Sequence, residues 1–193
     1  MTSINKARLF VLSGPSGSGK SSLISDALKY LNDFEISISA TTRPMRKGEI
    51  QGKQYYFMTE EEFEDLIKKE SFLEWARYSG YYYGTPAKTV CDKLAAGINI
   101  ILEIEVKGAM QIKEKIDDAF YIFVLTTAID ELKKRLIKRG ADSLEEIEKR
   151  LVIAREELEY KKHYDCIIVN NNYNEALENL KNVLESAVGK ETG

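Results

Sequence analysis

The chain has 193 residues, 44% of them hydrophobic and 31% charged, and its 28 Lys+Arg against 31 Asp+Glu leave a formal net charge of −3. This usage suits one globular domain with room for an inserted lobe, and it argues against a general polyanion binder, which needs a basic footprint. Two cysteines in no metal-ligand spacing, Cys91 and Cys166, argue against a disulfide scaffold or a zinc site, and a single histidine, His163, excludes chemistry built on several histidines.

In chain order, residues 1–8 lack the apolar core of a signal peptide, and no apolar run reaches membrane-span length. With two unpaired thiols, a soluble cytoplasmic protein is expected, with no membrane partner. A short apolar run predicts a buried strand over 8–13, ending in a Gly-rich turn. Leu23, Ile24, Ala27, Leu28 and Leu31 recur at helical spacing and predict a helix over 20–31. Alternation predicts a strand over 34–39, and buried strands are expected over 98–105, 119–125 and 166–169. Helical patterns cover roughly 107–116, 129–138, 144–161 and 174–187. Strands alternating with helices predict an α/β fold around a parallel sheet with right-handed crossovers.

Two stretches break that rhythm. Residues 41–97 are too long for a simple crossover and read as an inserted lobe of short strands and two helices. Lys133 to Arg150 carries seven basic residues against four acidic ones, with Gly140 inside it where a hinge or cap fits.

Gly14-Pro15-Ser16-Gly17-Ser18-Gly19-Lys20-Ser21 matches the phosphate-loop pattern G-x-x-x-x-G-K-[ST] in full, between a predicted strand and a predicted helix. Its glycines let backbone N–H groups turn inward, and the following helix presents its positive end to the same place. Lys20 adds a charge near the β- and γ-phosphates, and the Ser21 hydroxyl can ligate Mg²⁺. The loop announces a nucleoside triphosphate; the acceptor must be read elsewhere.

Arg43 and Arg46 follow the second strand and could clamp a phosphate with guanidinium forks, joined by the hydroxyls of Tyr55 and Tyr83. Glu103 and Glu105 stand two apart at the end of a buried strand, hence on one face, where parallel sheets bind ligands. Glu103 is the candidate for the Mg²⁺ side, directly or through water. Glu74 lies among Phe72, Leu73 and Trp75. A carboxylate can accept both N1–H and the exocyclic amino group of guanine, a pair that adenine lacks.

The sequence resembles the guanylate kinases, from Arg8 to about Leu184. The carrying segments are Ser13 to Ser22, Ser37 to Arg46, Gly48 to Phe57, Phe72 to Ala76, Tyr82 to Pro86, Leu102 to Gly108 and Ile168 to Asn170. The resemblance implies a P-loop three-layer sandwich with a core of 1–42 and 98–193, a helical lid at about 135–155, and a GMP-binding lobe over 43–97. It implies that Ser39, Arg43, Arg46, Tyr55, Glu74, Tyr83 and Thr85 bind GMP, beside Glu103 and Glu105. Arg43, Arg46, Tyr55 and Tyr83 would hold its phosphate, and Glu74, Ser39 and Thr85 would meet guanine. Gly14 to Ser22 would bind ATP phosphates and Mg²⁺, Arg135, Arg139 and Arg150 would close over ATP, and Asn170 would lie near adenine. Glu105 stands where the family usually has Asp, Lys107 where glutamine is common, and Asn170-Asn171-Asn172 replaces a more usual Asn-Asp-Asp.

The implied reaction is ATP + GMP ⇌ ADP + GDP, with ATP and GMP (or dGMP) as partners, no nucleic acid, and a monomer or homo-oligomer as the working form. The attacking phosphate oxygen is already ionised, so no general base is needed, and His163 is expected to be structural. A ribose-bisphosphate kinase of similar fold would not call for the Glu74 and Tyr83 context. A kinase-like scaffold domain that binds phosphopeptides would be expected to lose the phosphate loop.

Overall fold

A computed structural model describes residues 7–78, 80–140 and 143–189, without the side chain of Arg139. Five strands form a wholly parallel sheet: β1 (Leu9–Ser13), β2 (Phe34–Ile36), β7 (Asn99–Glu103), β8 (Phe120–Leu125) and β9 (Cys166–Val169), in the order β2-β7-β1-β8-β9. All five residues of β1 are buried because β1 has a strand on either side and helices on both faces. Phe10 and Leu12 point into one layer, with Leu23 and Ile24 of α1 (Lys20–Ala27) and Leu180 and Leu184 of α7 (Tyr173–Gly189). Leu9 and Val11 point into the other, with Val90 of α3 (Ala87–Ala95) and Ala109 and Ile112 of α4 (Val106–Lys113). The result is the three-layer α/β arrangement expected of continuous apolar strands.

Several ends differ from the periodicity. The first helix stops at Ala27, and i→i+3 bonds from Lys29 to Asp26 and from Tyr30 to Ala27 continue the chain as a tighter turn that still buries Leu31. The second strand stops at Ile36, after which the chain leaves the sheet. The strand before Glu105 ends at Glu103, and Glu105 has become the N-cap of α4.

A second sheet has the order β4-β3-β6-β5, from β3 (Ala40–Thr41), β4 (Tyr56–Phe57), β5 (Phe72–Tyr78) and β6 (Tyr81–Pro86). Ala40 and Thr41 thus pair with this sheet rather than with the five-stranded one. Phe63 of α2 (Glu60–Lys68) packs on Phe72 and Ala40 there, and α2 opens on a Thr59–Glu62 capping box. By contrast α3, inside the 41–97 stretch, packs on the five-stranded sheet.

Leu132 and Leu136 of α5 (Ile129–Arg139) meet Ile147 and Leu151 of α6 (Leu144–Leu158) in a small core of their own. Gly140 ends α5 with φ 64, a left-handed turn that favours glycine. A Ser143–Glu146 capping box starts α6. Among the described residues no helix is long and apolar enough to cross a membrane.

Candidate active site

The carboxyl ends of β1, β7, β8 and β9 lie side by side, and the loop after β1 curls over them. At Gly19 the backbone takes φ 93, and a Cβ there would lie 2.4 Å from Asn170 Nδ2, so both the turn and the close approach require glycine. Asn170, only 2% exposed, donates from Nδ2 to the Ser18 carbonyl at 2.7 Å. The loop is thereby tied to the end of β9. Arg135 adds a bond from Nη2 to the Asn170 carbonyl at 2.7 Å, and Arg150 donates from Nη1 to Ser16 Oγ at 2.8 Å. Two of the expected lid arginines therefore reach the loop or its anchor; the side chain of Arg139 lies outside the described residues.

Lys20 is tucked into its own loop, donating to the Gly14 carbonyl at 2.5 Å and the Pro15 carbonyl at 3.1 Å. Burial pulls its pKa below the ordinary lysine value, and the charges of Glu103, Glu157 and Glu105 oppose that. Ser21 Oγ donates to Glu103 Oε1 at 2.5 Å, joining the phosphate loop to the end of β7. Ser22 takes part through its carbonyl, which accepts from the Tyr173 hydroxyl at 3.0 Å.

A cavity of about 330 Å³ opens from this point toward the second sheet. Lys20, Ser21, Glu103 and Glu105 line one side, and Ser39, Tyr55, Glu74 and Tyr83 the other. Glu74 is 5% exposed and accepts from Thr85 Oγ1 at 2.7 Å. Burial pushes its pKa up to about 6, against the Thr85 hydrogen bonds and with help from the Glu105 charge. Burial also raises the Glu105 pKa, opposed by Lys20, Lys107 and Arg150. Thr85 sits behind Glu74, fully buried, and Tyr55 and Tyr83 meet edge to face with centroids 5.9 Å apart.

The arginine pair is arranged differently from the open fork that the sequence suggests. Arg43 is 9% exposed and paired with Glu49: Nη2 donates to Oε1 at 2.7 Å and Nη1 to Oε2 at 3.1 Å. Its guanidinium lies 5.4 Å from the Tyr55 ring centroid, which leaves it beside the cavity wall. Glu49 Oε2 also accepts the Arg46 backbone N–H at 2.7 Å, while Arg46 itself is exposed. Glu49 was not singled out from sequence; its only signal is a charge six residues after Arg43, beyond a turn at Gly48. Gly108 was also missed. A Cβ on it would lie 2.6 Å from Glu74 Oε2, so its bare backbone makes room for that carboxylate. His163 holds the Lys113 ammonium on its carbonyl at 2.6 Å and lines no part of the cavity.

The family model described as guanylate kinase matches residues 6–187. The chain is 46% identical over 180 residues to a guanylate kinase of Desulfitobacterium hafniense (strain Y51), covering 93% of this chain and 90% of that one. It is 43% identical over 185 residues to a guanylate kinase of Rubrobacter xylanophilus, covering 96% and 97%. The crystal structure of guanylate kinase from Anaplasma phagocytophilum aligns with a TM-score of 0.78 at 30% identity, over 96% of this chain and 88% of that one. The chain belongs to the guanylate kinase family and is accordingly an ATP:GMP phosphotransferase that converts GMP to GDP.

Proposed function

We propose that the 330 Å³ cavity is the GMP site and that its open floor at Lys20 and Ser21 is where the γ-phosphate is delivered. One observation carries this reading: a single cavity joins the phosphate-loop lysine to a buried carboxylate, Glu74, braced by Thr85. Glu74 accepts the two guanine N–H groups, with Ser39 and Thr85 beside it. Tyr55, Tyr83, Arg43 and Arg46 hold the GMP phosphate. The loop from Gly14 to Ser22 cradles the ATP phosphates, and Lys20 exchanges its bonds to Gly14 and Pro15 for phosphate oxygens. Residues 43–97 act as the GMP lobe, whose sheet also takes in Ala40 and Thr41 and whose α3 packs on the core of 1–42 and 98–193, and about 135–155 acts as the lid that brings Arg135, Arg139 and Arg150 over ATP.

The acceptor oxygen of GMP is already anionic, so the reaction needs alignment and charge neutralisation rather than a base. Lys20 and the lid arginines supply the positive charge. The Ser21 hydroxyl and the Glu103 carboxylate, 2.5 Å apart, form an all-oxygen donor pair suited to Mg²⁺. Among the described residues no group of three His, Cys, Asp or Glu side chains could hold a metal, so the remaining donors would be water and substrate. When bound, Mg²⁺ neutralises phosphate charge. Glu103 would reach it directly or through water. ATP and GMP (or dGMP) are the partners, and free thiols at Cys91 and Cys166 fit work in the reducing cytoplasm.

Replacing Lys20 tests the assignment. Lys20→Ala should cut turnover by roughly two orders of magnitude or more with the fold retained by circular dichroism. Near-normal phosphoryl transfer would remove Lys20 from the site.

A further inference from the structure

Glu74 faces the cavity only because β5 is irregular. Phe72 pairs with Pro86 and Trp75 with Gly84, so Leu73 and Glu74 together lie opposite Thr85. That is a β-bulge, a device that re-aims side chains. Its effect is visible on both faces. Phe72 stacks on Phe63 at 4.4 Å, and Trp75, three residues on, meets Tyr82 on that same side. Glu74, Ala76 and Tyr78 line the cavity on the other. In a regular strand Phe72 and Glu74 would share one face, and the acid would be driven into the aromatic core.

The bulge lies on the edge strand of its sheet, so its outward backbone groups have no strand partner. One stripe of the α4 segment supplies them. Gln111 Nε2 donates to the Trp75 carbonyl at 3.0 Å, and its Oε1 accepts the Trp75 N–H at 3.2 Å. Lys115, just beyond the helix, donates to the Leu73 carbonyl at 3.0 Å. Gly108, one turn earlier, leaves the space that Glu74 Oε2 occupies. The backbone on both sides of Glu74 is thus pinned by side chains from the other sheet's helix.

We propose that Gln111 is a positioning residue for base selection: its two-point bond to Trp75, seconded by Lys115, fixes the bulge that turns Glu74 into the cavity. This rests on the reading of Glu74 as the guanine carboxylate. Gln111 touches no substrate; it acts by setting where the acceptor oxygens stand, and a displacement near 1 Å is costly for paired hydrogen bonds.

The test compares kcat/KM for GMP and for IMP, which keeps N1–H and the phosphate but lacks the exocyclic amino group. Gln111→Ala should lower the GMP:IMP ratio about tenfold with KM for ATP unchanged. Gln111→Glu keeps the acceptor for the Trp75 N–H and should recover part of the ratio. Lys115→Ala, which removes one bond at the bulge and a positive charge that favours the ionised Glu74, should lower it by about three- to fivefold at pH 8, where Glu74 is ionised either way, and serves if Gln111→Ala fails to fold. A ratio equal to the parent's in folded Gln111→Ala or Lys115→Ala, whatever the loss in rate, overturns the proposal. Glu74→Gln separates the two levels. If it lowers the ratio while the Gln111 and Lys115 variants do not, only the positioning role fails. If it leaves the ratio intact, the guanine reading fails and the positioning role falls with it.

Discussion

Arg43 and Glu49 form a two-point ion pair at 2.7 and 3.1 Å, with the arginine nearly buried and the carboxylate also capping the Arg46 backbone. One acid therefore fixes the Arg43 guanidinium and the backbone at Arg46, the two arginines expected at the acceptor phosphate. The Arg43 guanidinium and the Arg46 backbone N–H lower the Glu49 pKa from its ordinary value.

Removing that acid should loosen the clamp rather than the chemistry. Glu49→Gln is expected to raise KM for GMP by roughly tenfold with a smaller change in kcat and none in KM for ATP. Steady-state kinetics with each substrate varied in turn checks this, and an unchanged KM for GMP would take Glu49 out of the acceptor site.

The raised Glu74 pKa makes base selection depend on pH. Below about pH 6 the free enzyme carries a neutral acid there, which cannot accept both guanine N–H groups. The GMP:IMP ratio of kcat/KM should therefore fall as pH drops through that value. IMP bears the same phosphate, so titration of the substrate cancels in the ratio.

The same burial costs stability in the opposite pH range. A carboxyl whose folded pKa, about 6, lies above its ordinary value of 4.5 favours folding fully only when protonated, and that contribution is lost as pH rises through the folded pKa. Glu74→Gln keeps an acceptor for Thr85 without the charge. It should be more stable than the parent by about 2 kcal/mol at pH 8, with the gap closing below pH 4.5. Urea unfolding at both pH values measures it.

Asn170 Nδ2 holds the phosphate loop through the Ser18 carbonyl. Asn170→Ala should weaken ATP and GTP binding by a similar factor, about tenfold, and leave the preference between them unchanged. A selective loss of ATP binding in a calorimetric titration would return Asn170 to the adenine site.

Legibility in the sequence followed how local each signal was. The buried strands and the phosphate loop announce themselves in runs of four to eight residues, and the α/β layering follows from their alternation with helices. Element ends were less legible. The Leu28–Leu31 spacing continues a helical pattern, but the chain tightens into i→i+3 turns there. Glu105 alternates like a strand residue yet starts a helix, because the strand pairing with β1 is complete at Glu103. What remained hidden depends on contacts between distant segments. The bulge that aims Glu74 exists only in the pairing of β5 with β6, and the Gln111 bond spans 36 residues. The Arg43–Glu49 pair is likewise invisible until the turn at Gly48 brings the two charges together.

The most direct measurement is the initial rate of ADP release from ATP with GMP, AMP, CMP or UMP as acceptor. The cavity that joins Lys20 to Glu74 predicts rapid ADP release with GMP, at least about a hundredfold faster than with the other three, and little release without an acceptor. Equal rates with GMP and AMP, or ADP release that does not depend on any acceptor, would contradict it.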